Sequence, residues 1–158
     1  MVRRARREQT GVTLIELMVC ILITLLLAAA ATPFALAWSH QSSVRQTQAQ
    51  LQQGLSQLKA IALRNPMAAR TPNASATLVT RAGQLCLHAG EPAALTCEGA
   101  LWQSLIPAAV TVAREPNNCV ALDSNGLPID VQIDAQTCRL QPTFLIRRGN
   151  EQIELIFN

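Results

Sequence analysis

Hydrophobic and polar positions divide the chain into three regimes. Leu17 to Trp38 is a run of 22 residues without a charge, LMVCILITLLLAAAATPFALAW. Wound as a helix it spans about 33 Å at about 1.5 Å per residue, enough to cross a hydrocarbon layer of about 30 Å. A core helix that is apolar on every side needs a protein large enough to surround it. The 120 residues that follow it cannot do that and also solvate themselves, so the run predicts a membrane span. His40 to Asn65 is amphipathic instead: Val44, Leu51, Leu55, Leu58 and Ala62 recur at spacings of seven, four, three and four. That stripe predicts a helix laid against a sheet. A free coiled coil would need sustained heptads with paired charges, and only Arg45, Lys59 and Arg64 are charged here. Gly54 interrupts the stripe at a cost of about 1 kcal/mol relative to Ala, which predicts a bend. Asn65-Pro66 ends the helix, because proline disfavours helix in the residue before it.

From Ala69 onward the pattern is that of strands and turns. Ala76–Arg81 and Gln84–His88 flank Ala82-Gly83 and predict a hairpin. Ala109–Arg114 is a further strand. Cys119–Asp123 and Ile129–Ile133 flank the turn cluster from Ser124 to Pro128. Thr143–Arg148 and Gln152–Phe157 flank Gly149-Asn150, suited to a tight turn. One long helix followed by strands predicts an α+β architecture, with the helix packed on an antiparallel sheet. No internal repeat is visible.

Composition sharpens this picture. The chain has 158 residues, 49% apolar but 3% aromatic with no Tyr, and only 15% charged against a usual quarter. That balance excludes a disordered tail or a polybasic nucleic-acid arm. The formal net charge is +3, but Arg3, Arg4, Arg6 and Arg7 lie in the first seven residues. Beyond residue 11, nine basic and nine acidic residues remain. The rest of the charge is unevenly placed. Between Glu16 and Glu91 there is no acidic residue, while eight acidic and four basic residues lie from Glu91 to the end.

A basic segment before an apolar run predicts a cytoplasmic N-terminus and an exported remainder. A disposable secretory signal has the same outline, and Ala35-Leu36-Ala37 offers a small-x-small cleavage site that would start the chain at Trp38. Glu16 argues against that alternative. A carboxylate in an apolar helix costs about 2.5–3.5 kcal/mol at mid-membrane, less near the interface, and marks a functional residue in need of a cationic partner.

The run Gly11-Val12-Thr13-Leu14-Ile15-Glu16-Leu17, behind its basic leader, resembles the processing site of type IV prepilins and type II secretion pseudopilins. The resemblance implies that a prepilin peptidase cuts between Gly11 and Val12 and that the new amine of Val12 is methylated. It implies that Glu16 pairs with the N-terminal amine of a neighbouring subunit, since an ammonium and a carboxylate in lipid are each costly alone. Gly11 suits a protease that must approach bare backbone. Val12 stands where the family usually has Phe. Pro33 matches a proline that breaks the family's helix within the span, removing one hydrogen bond and permitting a kink or a melted turn. The implied plan is a leader over 1–11, a transmembrane half-helix over 12–38, an amphipathic half-helix over 39–65 and a periplasmic disulfide-bonded β head over 66–158. Leu58 to Pro66, Leu85-Cys86-Leu87 and Leu122 to Gly126 are similar to the FimT/GspH-type branch of minor pilins.

Five cysteines are present. Cys20 lies in the apolar run, where a thiol behaves as a small hydrophobe. Cys86, Cys97, Cys119 and Cys138 form an even set that predicts two disulfides in an oxidising periplasm, with three pairings open. Pairing neighbours along the sequence closes loops of about 12 and 20 residues, each worth roughly 3 kcal/mol. A zinc site is disfavoured, because no CxxC pair exists and His88 is the lone head histidine. Asp123-Ser124-Asn125-Gly126 opens like a calcium loop but lacks the later ligands, so it is read as a turn. Asn73-Ala74-Ser75 is a glycosylation sequon by pattern only. No nucleophile, phosphate-binding or metalloprotease motif occurs, and neither His40 nor His88 has a visible catalytic partner. No enzyme activity, cofactor or metal is expected.

The expected function is a minor pilin-like subunit that helps initiate or cap a type IV pilus. Its partners would be other major and minor pilins, the prepilin peptidase, the inner-membrane assembly platform, and lipid before assembly. The alternative in the same class is the H-type minor pseudopilin of type II secretion. An alternative of another class is a DNA-uptake pilin using Arg64, Arg70, Arg81, Arg147 and Arg148. Some FimT-type pilins carry Gly-Arg-x-Arg in a C-terminal tail, whereas this chain has Arg147-Arg148-Gly149 in a predicted hairpin, so that motif does not carry over.

Overall fold

The computed structural model describes residues 11–81, 83–112, 118–138 and 143–156. The basic leader over 1–10, Ala82 of the first hairpin, the end of the strand expected to reach Arg114, and Phe157 lie outside the described residues. The chain divides into two compact units, one ending at Trp38 and the other beginning at Ser39.

Helix α1, Leu14–Arg64, runs through both expected halves. Its start is encoded locally. Thr13 is the N-cap: its Oγ1 accepts the Glu16 N–H at 3.3 Å and its carbonyl accepts the Leu17 N–H at 3.1 Å. Its end is encoded locally too. Asn65 takes a left-handed φ of 43°, which Asn tolerates better than most residues. The Asn65 side chain then holds Ala69 from both sides, accepting the Ala69 N–H at 2.7 Å and donating to its carbonyl at 2.9 Å. The helix continues unbroken through Pro33 and Gly54. A melted turn at Pro33 is therefore not formed.

In the first unit the helix is apolar and exposed throughout; Leu14 is 77% and Leu26 64% exposed. It is long and apolar enough to cross a membrane. In the second unit the helix buries Val44, Leu51, Leu55, Leu58 and Ala62, the sequence-read stripe, together with Ser43, Thr47 and Gly54.

The strands are β1 Ala76–Arg81, β2 Gln84–Ala89, β3 Trp102–Leu105, β4 Ala109–Val112, β5 Asn118–Leu122, β6 Pro128–Ile129, β7 Val131–Ile133, β8 Gln136–Cys138, β9 Thr143–Arg148 and β10 Glu151–Ile156. A five-stranded sheet has the order β3-β2-β1-β5-β6, a three-stranded sheet the order β10-β9-β4, and β7 pairs with β8. All pairings are antiparallel. Strand alternation sorts the larger sheet into two faces. Leu78, Leu85, Leu87, Val120 and Leu122 join the helix stripe and Phe144 and Ile146 in the main core. Val79, Cys86, Cys119 and Ala121 form a second cluster on the opposite face with Ile133 and Cys138. Strand β1 is consequently buried on both sides, all but its last residue.

Two covers close that second face, and each is tied down by a disulfide. The segment 91–100 is joined to β2 by Cys86–Cys97, with Cα atoms 5.3 Å apart. The β7–β8 hairpin is joined to β5 by Cys119–Cys138, with Cα atoms 4.8 Å apart. His88, buried on β2, adds a second tie to the first cover, its Nε2 lying 2.8 Å from the Thr96 carbonyl.

Three local expectations need correction. Gly54 marks no interruption of the helix; it lies under the Trp102 indole, and a Cβ there would come within 3.2 Å of the ring. The strand expected over Ile129–Ile133 is broken at Asp130. Ile129 pairs back to Ala121, whereas Val131 pairs with Cys138 in a separate hairpin. That hairpin turns at Asp134-Ala135, with φ of 51° and 61°, the left-handed pair that a two-residue turn demands. Strands β3 and β8 were not anticipated.

Candidate functional site

The candidate site is the start of α1. Residues 11–13 precede the helix, so the Gly11-Val12 peptide lies in non-helical chain. Gly11 is exposed, and a Cβ built on it meets nothing within 4 Å among the described residues. Folding therefore makes no demand for glycine at this position. Val12 is 71% exposed. Glu16 is exposed in the first turn of the helix, between Ile15 and Leu17, which are 71% and 56% exposed. Its neighbours three and four residues away are Val12 and Thr13 ahead of the helix and Val19 and Cys20 within it, and none is a cation. The carboxylate thus stands on an apolar rod with no positive side chain within reach along it.

Thr13 is the helix cap of this site, which sequence reading passed over. The signal was present as Thr-x-x-Glu ahead of an apolar run, the pattern of a capping box. Within one four-residue motif, Thr13 supplies the helix start and Glu16 the charge.

The arginines considered for nucleic acid do not converge. Arg147 and Arg148 end β9 beside the Gly149-Asn150 turn, which packs on His40 near the beginning of the head's helix segment. Arg64 ends the helix, about 36 Å away along its axis at about 1.5 Å per residue. Arg81 donates to the Leu95 carbonyl at 3.2 Å, and Arg148 donates to the Pro107 carbonyl. Arg70 is exposed on a groove with Asn73 and Glu91, where the Glu91 carboxylate accepts the Ala74 N–H at 2.7 Å.

Asp123 has a perturbed protonation equilibrium. Burial alone would push its pKa up. Hydrogen bonds from the Leu127 and Asn125 N–H groups, the Asn125 side chain and the Gly126 N–H outweigh that and hold it below the usual value. The Leu127 and Asn125 N–H groups each reach Oδ1 at 2.9 Å. The carboxylate closes the β5–β6 turn, with its bonds spent on the backbone and the Asn125 side chain of that turn. Among the described residues no group of three or more His, Cys, Asp or Glu is placed to hold a metal.

Residues 6–32 match the family model described as the prokaryotic N-terminal methylation motif, the leader of type IV pilins and pseudopilins. No curated protein matches the chain. No solved structure matches it. The motif indicates a type IV pilin- or pseudopilin-like protein, and the proteins that carry it form a structural rather than enzymatic family. It implies processing by a prepilin peptidase and assembly with other pilins, and with the apolar helix it fits membrane anchoring.

Proposed function

We propose that this chain is a minor pilin-like structural subunit of the FimT/GspH type, which helps to initiate or cap a type IV pilus. The precursor is cut after Gly11 and methylated on Val12. It waits in the inner membrane through residues 12–38, with its head in the periplasm. It then joins the filament when Glu16 meets the N-terminal amine of an adjoining subunit. The observation that supports this reading best is the setting of Glu16: a carboxylate one helical turn beyond Val12, flanked by exposed apolar side chains and with no cation one turn away along the chain in either direction. Such a charge is costly in lipid until an opposite charge is brought to it, and that cost favours assembly in one axial register. The Gly11 position adds support, since its glycine answers to no packing constraint and leaves bare backbone open to a protease.

Clean deletion of the gene tests the assignment, with surface pili counted by electron microscopy and extracellular enzyme secretion scored on the same strain. Loss of pili with secretion intact is the expected result. Intact pili with lost secretion would move the chain to the type II secretion pseudopilus. Intact pili and intact secretion would reject an assembly role in either and return attention to DNA uptake.

A further inference from the structure

The β9–β10 turn brings cationic side chains to His40, at the start of the head's helix segment. Gly149, with φ of 58°, presses so closely on His40 that a Cβ there would lie 2.5 Å from the imidazole Nδ1. His40 is only two residues beyond Trp38, the last residue of the uncharged run. Two residues of helix advance about 3 Å, and a headgroup layer is about 5–8 Å deep on each side of the hydrocarbon. Chain connectivity alone keeps a turn seated on His40 within reach of the headgroup layer when residues 12–38 occupy a bilayer. Trp38, 69% exposed, is the residue type that favours that boundary.

The turn carries the chemistry of a phosphate contact. Arg147 is exposed and stands directly opposite Gln152, with the carboxylate of Glu154 one diagonal step away on the same face. Its Nε donates to the Gly149 carbonyl at 3.4 Å, which leaves the terminal nitrogens of the fork for an outside acceptor. Arg148 is half-buried, bound to the Pro107 carbonyl and opposite Glu151, so its charge is partly offset. Arg45, exposed five residues along the helix from His40, adds a further positive charge. Arg147 thus keeps terminal donors for a lipid phosphate.

We propose that the β9–β10 turn is a lipid-contacting tip, with Arg147 holding the phosphate of an anionic phospholipid before the subunit enters a filament. The proposal rests on the membrane-anchored reading given above. The test uses full-length protein in nanodiscs of phosphatidylcholine with a minor share of phosphatidylglycerol, with Asn150 replaced by a photoreactive benzoylphenylalanine. Crosslinked lipids are identified by mass spectrometry. Phosphatidylglycerol is expected to exceed its bulk share at low salt and to fall towards it in about 0.5 M salt, where exposed charges are screened. Arg147→Gln is expected to lower the enrichment about fivefold, the effect of one surface arginine near anionic lipid, and Arg147→Lys to keep most of it. Melting of the head in each variant shows whether the fold is retained. Crosslinking at the bulk share, or enrichment that ignores Arg147→Gln in a folded protein, would overturn the proposal and leave membrane anchoring standing. Duplex DNA binding that depends on Arg147, without lipid enrichment, would overturn it in favour of nucleic acid. A full-length protein that elutes without lipid would overturn both the tip and the anchor.

Discussion

Gly54 of the helix and Trp102 of the sheet edge are fitted to each other: a single methyl group added at Gly54 would stand 3.2 Å from one indole carbon and 3.4 Å from the next. Trp102 is half-buried and packs against the main core. The glycine that looks like a weak point in the helix is the seat of one of the few aromatic side chains in the protein. Gly54→Ala should consequently fail to deliver the gain of about 1 kcal/mol that Ala brings to a helix interior. Gly54→Leu should lose about 1–3 kcal/mol through overpacking. In a Trp102→Ala background the seat is empty, and Gly54→Ala should recover the helix gain. Denaturant unfolding of the four proteins checks this, and additive effects would contradict the fit.

Glu16 and Thr13 separate two roles within one motif. The cap uses the main-chain N–H of residue 16, so Glu16→Gln leaves the Thr13 contact in place while removing the charge. Leader cleavage should persist in Glu16→Gln and in Glu16→Ala, while incorporation into filaments falls in both. Thr13→Ala should weaken the helix start by about 1 kcal/mol and keep the charge. Immunoblots of sheared filaments and membranes read both outcomes. Normal incorporation of Glu16→Gln would show that the carboxylate is not an assembly element.

The two disulfides should act on different covers of the same sheet face. Each closes a loop worth roughly 3 kcal/mol in the chain-entropy account. Cys86→Ser with Cys97→Ser should release protection in the segment 91–100, where the His88–Thr96 contact remains as a partial tie. Cys119→Ser with Cys138→Ser should release the β7–β8 hairpin instead. Hydrogen exchange resolves the two, and protection lost equally over both covers in either double variant would contradict independent stapling.

Much of this architecture was legible along the chain because it is written in period and local chemistry. The span from Leu17, the stripe from Val44 to Ala62 and the Asn65-Pro66 stop required only helical spacing and residue type. Strands β1, β2, β9 and β10 alternate or are bounded by glycine turns. What stayed hidden depends on contacts distant in sequence. Trp102–Leu105 has four residues and gains its identity as a strand from pairing with β2. The β7–β8 turn uses Asp134-Ala135 in left-handed backbone with no glycine to announce it. Thr47 looks like a polar break in the stripe, yet its buried Oγ1 accepts the Ala108 N–H at 3.1 Å. At the candidate site, the charge of Glu16 was conspicuous, whereas the cap by Thr13 was hidden behind the motif that contains it.

Thr47 also carries a prediction. Thr47→Val keeps the shape but strands a buried donor on Ala108, at a cost of about 1–3 kcal/mol. Thr47→Ser should recover most of that. A melting temperature for Thr47→Val equal to that of the parent would show that the bond contributes nothing.

The head should lose stability in acid partly through Asp123. Its pKa is lower in the folded head than the ordinary value, so its contribution is complete above the unfolded value of about 3.9 and is lost as pH falls below it. Asp123→Asn keeps an oxygen acceptor and removes the titration. Melting temperatures between about pH 6 and 2 should therefore fall less steeply for Asp123→Asn than for the parent. Parallel curves would mean that the turn is indifferent to the charge.

The central claim is that this chain is a processed, membrane-anchored pilin-like subunit, and the mass of its mature N-terminus tests it most directly. Purified from native membranes, the chain should begin at Val12 and carry a single methyl group on that amine. A chain beginning at Trp38, or one that retains Met1 to Gly11 in cells with an active prepilin peptidase, would contradict the account.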